Sequence, residues 1–96
     1  MIASFGDRAT EDLYHGRQTS RVRRFPRTIL SAALRKLDVI RATRQIQDLR
    51  MPPGNRLELL KGDYAGWYSI RVNQQWRIVF RWESDGAHDV MLKDYH

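Results

Sequence analysis

Trp67-Tyr68-Ser69-Ile70-Arg71-Val72-Asn73-Gln74-Gln75-Trp76-Arg77-Ile78-Val79-Phe80-Arg81-Trp82 reads as two strands joined by a turn. Tyr68, Ile70 and Val72 recur at every second position of the first, and Trp76, Ile78, Phe80 and Trp82 do so in the second. Successive strand residues point to opposite faces, so each series makes one apolar face. The two faces coincide when the connection is odd in length, as Asn73, Gln74 and Gln75 make it. The other face then carries Ser69, Arg71, Arg77, Val79 and Arg81, with Arg71 nearly across from Arg77. Like charges in that position are destabilising and call for solvent or an anion, a need that an RNA backbone meets.

Outward from this hairpin, residues 57–61 and 88–93 also alternate and read as strands, with turns at Gly62-Asp63 and Ser84-Asp85-Gly86. Upstream, Pro52-Pro53-Gly54-Asn55 ends all helical periodicity, because consecutive prolines remove donors and disfavour helix before them. Ahead of that corner, Ile29, Leu30, Ala33, Leu34, Leu37 and Ile40 recur at three and four, predicting an amphipathic helix over 25–40. A short strand over 1–5, a helix over 7–15 closed by Gly16, and a third helix over 43–49 complete the expectation. The fold class is α+β: two to three N-terminal helices packed on one face of a mainly antiparallel sheet of four to five strands. With 96 residues the whole chain is expected to form one domain around one modest core.

Composition narrows the chemistry. There is no cysteine, which excludes disulfides, zinc ribbons and thiol catalysis. His15, His88 and His96 match no metal-ligand spacing, so neither a metal nor another cofactor is expected. The first residues lack the basic and apolar regions of a leader, and no apolar run is long enough for a membrane span. A cytoplasmic protein without a membrane partner is the expectation. The formal net charge is +6, and 14 of the 17 basic residues are arginine, whose planar fork grips phosphate in a bidentate way. Residues 1–56 hold twelve Lys and Arg against five Asp and Glu, so the excess lies in the first half. Nucleic acid is the commonest partner for such a balance, with a solvated basic face as the plain alternative.

"LKGD" at 60–63, "GWYSIRVNQQWRIVFRW" at 66–82 and the final Asp94-Tyr95-His96 together resemble the HigB-type killer proteins of the RelE/ParE toxin family. That resemblance implies a RelE-like fold and a small, metal-free endoribonuclease that cuts messenger RNA on the ribosome. It further implies a cognate antitoxin with a helix-turn-helix, and operator DNA bound only through the antitoxin complex. Metal-free cleavage asks for deprotonation of a 2′-hydroxyl, fixed cations for the charge growing on phosphorus, and protonation of the leaving oxygen. Lys61 and Arg77 are the candidate cations, while Asp94, Tyr95 and His96 are the candidates for proton transfer and substrate orientation, as the resemblance also implies. Acid and base roles stay open, because Asp94 favours imidazolium at His96 and the two cations oppose it.

A regular strand to the chain's end would set Asp94 and His96 on one side and Tyr95 on the other, so a break in the strand is expected there. Some relatives carry a histidine three residues before the lysine, where this chain has Glu58; it is an alternative base or a salt-bridge partner. Trp67 shares the parity of Ser69 and Arg71 and is a candidate for stacking on a base or covering an edge, whereas Trp76 and Trp82 have core parity. Arg21, Arg23, Arg24 and Arg27 gather at the start of the long helix, where positive charge opposes the dipole by about 0.3–1 kcal/mol per group. Contact with ribosomal RNA or an acidic antitoxin accounts for them, as does a solvated face; Arg71 and Arg81 join them as candidate RNA contacts. Two other functions fit the same pattern: a ParE-like, non-enzymatic inhibitor of DNA gyrase, and a nucleic-acid-binding module without catalysis.

Overall fold

In the computed structural model, which describes residues 1–94, Asp7 opens the first helix. Its backbone is extended and its Oδ1 accepts a hydrogen bond from the Thr10 N–H at 2.7 Å, starting α1, Arg8–Tyr14. The second helix, α2, is Leu30–Ala42, preceded by a 3-10 turn, Arg27–Ile29. It begins later than the expected residue 25 because Pro26 disfavours helical backbone at Phe25, which is extended with ψ 141°. Thr43 leaves the helical region, and the expected third helix over 43–49 is only a 3-10 stretch, Ile46–Arg50. Another 3-10 turn, Pro53–Asn55, follows the proline corner.

Four antiparallel strands come next in spatial order β1-β2-β3-β4: β1 Glu58–Leu59, β2 Tyr68–Arg71, β3 Trp76–Glu83 and β4 Gly86–Asp94. Tyr68 pairs with Phe80, Ile70 with Ile78 and Arg71 with Arg77, the register expected from an odd connection. The Asn73 side chain secures it, its Oδ1 accepting from the N–H groups of Gln75 at 2.8 Å and Trp76 at 2.7 Å. Between β3 and β4 the register shifts: Val79 faces Met91, yet Arg81 faces His88, which leaves one extra residue on β4. Asp89 takes part of that shift in the left-handed region, with φ 53°. The bulge lets Ala87 and Val90, three apart, both reach the core, which strict alternation forbids.

The expected first strand is reduced to two isolated parallel bridges, Ile2 with Ala87 and Phe5 with Val90. Its partners on β4 flank the bulge, so no continuous ladder forms, but residues 1–6 still cover the β4 edge. Gly86 fits that approach because its φ is 124° and any Cβ would run into the Met1 carbonyl.

The core lies between the helices and the face carrying Ile70, Ile78, Phe80, Val90 and Leu92. Ala33, Leu37 and Ile40 of α2 are fully buried there, while Leu30 and Leu34 pack at its margin. Phe25 meets Trp76 edge to face at 5.7 Å. Leu37→Ala is therefore expected to cost about 2–5 kcal/mol through lost burial and a residual cavity, and Leu34→Ala less. Urea unfolding of both variants checks this, since equal losses would contradict the observed phasing of α2.

Candidate functional site

The face of the sheet turned from the helices departs from the expected solvated one. Ser69 is fully buried, Val79 nearly so, and Arg77 is only 8% exposed. Arg77 Nε donates to Ser69 Oγ at 2.8 Å, and Nη2 donates to the Arg56 carbonyl at 2.6 Å and the Ser69 carbonyl at 3.4 Å. Nη1 lies 3.8 Å from the Glu58 carboxylate on β1. Burying a charge is tolerable only when partners satisfy it, and the protein's own oxygens do so here. The concentration of guanidinium groups that called for solvent or an anion is thus met at Arg77 by the fold itself.

The Arg56 carbonyl reaches this position from a left-handed backbone, φ 45° and ψ 57°, at the end of the Pro53–Asn55 turn. Asn55 anchors that turn: its buried Nδ2 donates to the Leu49 and Met51 carbonyls, and its Oδ1 accepts from Lys36 of α2. The helical layer thereby braces the loop that holds Arg77.

Beside Arg77, and directly across from it on β4, stands Lys93. Its ammonium donates to Tyr64 Oη at 2.6 Å and lies 4.8 Å from that ring's centroid. Tyr64 in turn meets Trp67 edge to face at 5.1 Å, and both rings are partly exposed. Lys61, just before the Gly62–Tyr64 turn, is exposed.

Asp94 belongs to the opposite side. The strand does not break before it: β4 continues through Asp94, which pairs with Trp76 and so shares the parity of Leu92. Gln75 Nε2 donates to its Oδ2 at 2.9 Å. Tyr95 and His96 lie outside the described residues.

The arginine cluster is divided. Arg21 Nε is bonded at 3.0 Å to Asp12, a carboxylate only 3% exposed that also accepts from Thr19 at 2.9 Å and Arg17 at 3.2 Å. Arg21 and Arg24, with Arg8, border a cleft of about 590 Å³ that reaches Trp76 and Asp94. Arg23 and Arg27 border another of about 440 Å³. Only Arg27 stands at the N-terminal end of the long helix, opening the 3-10 turn that runs into α2 at Leu30, so the expected opposition to the dipole is confined to it. Arg81, partly exposed, is engaged by Asp89 at 2.8 Å and by Glu83. His88 is bonded to Asp85 at 2.6 Å, and His15 packs against Phe5 and Tyr14. A cleft of about 670 Å³ around residues 1–5, Tyr14 and His15 holds none of the candidate residues.

Ser69, the Arg56 carbonyl, Lys93 and Tyr64 were not singled out for a site. Ser69 and Lys93 share the Arg77 face by parity, which a full register would reveal; the reach of Arg56 depends on a loop whose path no periodicity encodes.

A family model described as the RelE-like toxin of the type II toxin-antitoxin system HigB matches residues 3–96. The chain belongs to this toxin family. Toxin HigB-1 of Vibrio cholerae is 44% identical over 92 residues, covering 96% of this chain and 95% of its own length. An uncharacterized protein of Haemophilus influenzae is 41% identical over 69 residues, 72% of this chain and 68% of its own. Endoribonuclease HigB of Proteus vulgaris is 42% identical over 41 residues, 43% of this chain and 45% of its own. A toxin of a type II system has a cognate antitoxin as its partner. No helix among the described residues is long and apolar enough to cross a membrane.

Two consequences can be measured on the toxin alone. Ser69→Ala leaves the buried Nε–H of Arg77 without its acceptor and is expected to cost about 1–3 kcal/mol, whereas Ser69→Thr keeps the oxygen and recovers most of it. Equal stability of wild type and Ser69→Ala in chemical denaturation would disprove that anchor. At Asp12, burial pushes the carboxyl up, but hydrogen bonds from Thr19, Arg17 and Arg21 outweigh it and hold the group below the usual value. A depressed folded pKa stabilises above the unfolded value of about 3.9, and the effect is lost as pH falls through the lower folded one. The stability gap between wild type and Asp12→Asn is expected to be steady above about pH 5 and to narrow in stronger acid. Thermal melts across that range test it.

Proposed function

We propose that the toxin cuts messenger RNA on the ribosome by attack of a 2′-hydroxyl on the adjacent phosphate, with no metal ion in the chemical step. Endoribonuclease activity itself goes with the family and with the name of the Proteus relative. The mechanism rests on one observation above all: a guanidinium held before substrate arrives, with three of its contacts made to Ser69 and Arg56 oxygens. Fixed donors of this kind need no reorganisation as negative charge grows on phosphorus, which is where electrostatic catalysis gains most.

Lys61 serves as a second cation, its exposure leaving it able to approach a bound phosphate. Asp94, Tyr95 and His96 orient the substrate and move protons, and Glu58, paired to Arg77 at 3.8 Å, is the alternative base. Arg21, Arg23, Arg24, Arg27, Arg71, Arg81 and Trp67 engage messenger or ribosomal RNA. The antitoxin carries the helix-turn-helix and links the toxin to operator DNA, and the toxin acts in the cytoplasm.

End-group analysis of messenger RNA cut on programmed ribosomes tests the chemistry. A 2′,3′-cyclic phosphate or a 3′-phosphate is expected, whereas water delivered by a metal commonly leaves a 5′-phosphate. Lys61→Ala, Arg77→Lys, Asp94→Asn and His96→Ala, each first shown to fold, are expected to slow cleavage by about 10²- to 10⁴-fold where the group transfers a proton or holds the phosphate. Unimpaired cleavage by all four variants would remove the proposed active site.

A further inference from the structure

Three cations stand in a row across the face of the sheet turned from the helices. Arg71 of β2 pairs with Arg77 of β3, and Arg77 pairs with Lys93 of β4. Directly opposed residues share a face, and neighbouring strands lie about 4.8 Å apart, so the row crosses roughly 10 Å at right angles to the strands. Like charges opposed in this way destabilise a sheet unless something compensates them. Arg77, in the middle, is held by Ser69, the Arg56 carbonyl and Glu58.

The flanks differ. Arg71 is partly exposed and has no ion-pair partner among the described residues. Lys93 is steadied by the Tyr64 hydroxyl at 2.6 Å, a neutral partner that fixes the ammonium without cancelling its charge. Aromatic surface adjoins that end of the row, because Tyr64 packs on Trp67 and neither ring is fully buried.

We infer that Arg71, Arg77 and Lys93 form a track for the phosphates of single-stranded RNA crossing β2, β3 and β4, with Lys93 as a phosphate contact and the Tyr64–Trp67 pair as a support for a base. This rests on the endoribonuclease function proposed above and adds to it the path of the strand and a cation outside the proposed catalytic set. Cations interleaved with partly exposed rings suit single-stranded nucleic acid, whose backbone takes the charges and whose bases take the rings. An acidic polypeptide would use the cations and leave the rings idle.

The test uses the full-length toxin and a short, labelled 2′-O-methyl RNA, which lacks the attacking hydroxyl and so reports binding apart from cleavage. Kd is measured by fluorescence anisotropy over a series of salt concentrations. Lys93→Gln and Arg71→Gln are each expected to weaken binding several-fold at low salt and to lower the slope of log K against log salt by about 0.7, the value of one phosphate contact on a single strand. Lys93→Arg is expected to keep both near wild type. Arg44→Gln removes an exposed charge beside the Ser84–Asp85 turn, at the other end of the β3–β4 hairpin, and is expected to change little.

An unchanged Kd and slope for folded Lys93→Gln, or an equal effect of Arg44→Gln, overturns the track. Equally tight, Lys93-dependent binding of an oligoglutamate peptide overturns its assignment to RNA. Cleavage assays on ribosomes separate the two proposals. A wild-type protein that fails to cut but binds through Lys93 retains the track and loses the nuclease mechanism; one that cuts while Lys93→Gln binds normally does the reverse.

Discussion

The carboxamide oxygen of Asn73 accepts two backbone N–H groups, from Gln75 and Trp76, and by closing that turn it sets the register on which the rest of the molecule depends. In a sheet with a buried face, a slip of one residue would send Ile78 and Phe80 to the outside and Arg77 into the helical core. With the turn as it stands, Ile70 meets Ile78, and the same pairing places Arg71 opposite Arg77. The hydrophobic and cationic arrangements are two faces of one choice. Neither can change without the other.

From that register the site is assembled by elements distant in sequence. Ser69 lies next to Val79 on the neighbouring strand, close enough for its hydroxyl to meet the Arg77 Nε–H. The other essential oxygen comes from Arg56, whose left-handed backbone is uncommon for a residue with a Cβ and is held by the buried Asn55 beside it. Lys36 of α2 bonds that same asparagine. Packing of the helix layer is thus coupled to the position of a guanidinium on the far side of the sheet, and a substitution in the loop can alter the site without touching a reacting group.

Much of the fold was legible because its decisive signals are periodic. The β2–β3 hairpin and the stripe from Ile29 to Ile40 are read from alternation and from spacings of three and four, and both are present. Where local geometry overrides a period, legibility fails. Pro26 delays α2, and the bulge at Asp89 lets Ala87 and Val90 face the same way while dividing the first residues into isolated bridges. For the site, parity placed Arg71 and Arg77 on one face, but side-chain partners were beyond it. No period shows that Arg81 is paired with Asp89 and Glu83. Arg77 has the type of a surface cation and is instead buried.

The two sides of β4 carry different parts of the proposed chemistry, and its pleat explains why. Lys93 falls beside Arg77, whereas Asp94, one residue on, pairs with Trp76 and reaches the cleft bordered by Arg8, Arg21 and Arg24. A phosphate lying only on the Arg77 face would be presented with cations and with Glu58, and would have Asp94 behind the sheet. For Asp94 to act on the same phosphate, the reacting group must sit at the end of the β3–β4 pair, where the faces meet and where Gln75 already holds the Asp94 carboxylate. In the mechanism proposed above, the row on β2, β3 and β4 would carry the strand and the end of the sheet the proton transfers, two roles that composition leaves merged. Arg77 differs from its two neighbours in the row in being buried and held by the fold on both β2 and the proline corner.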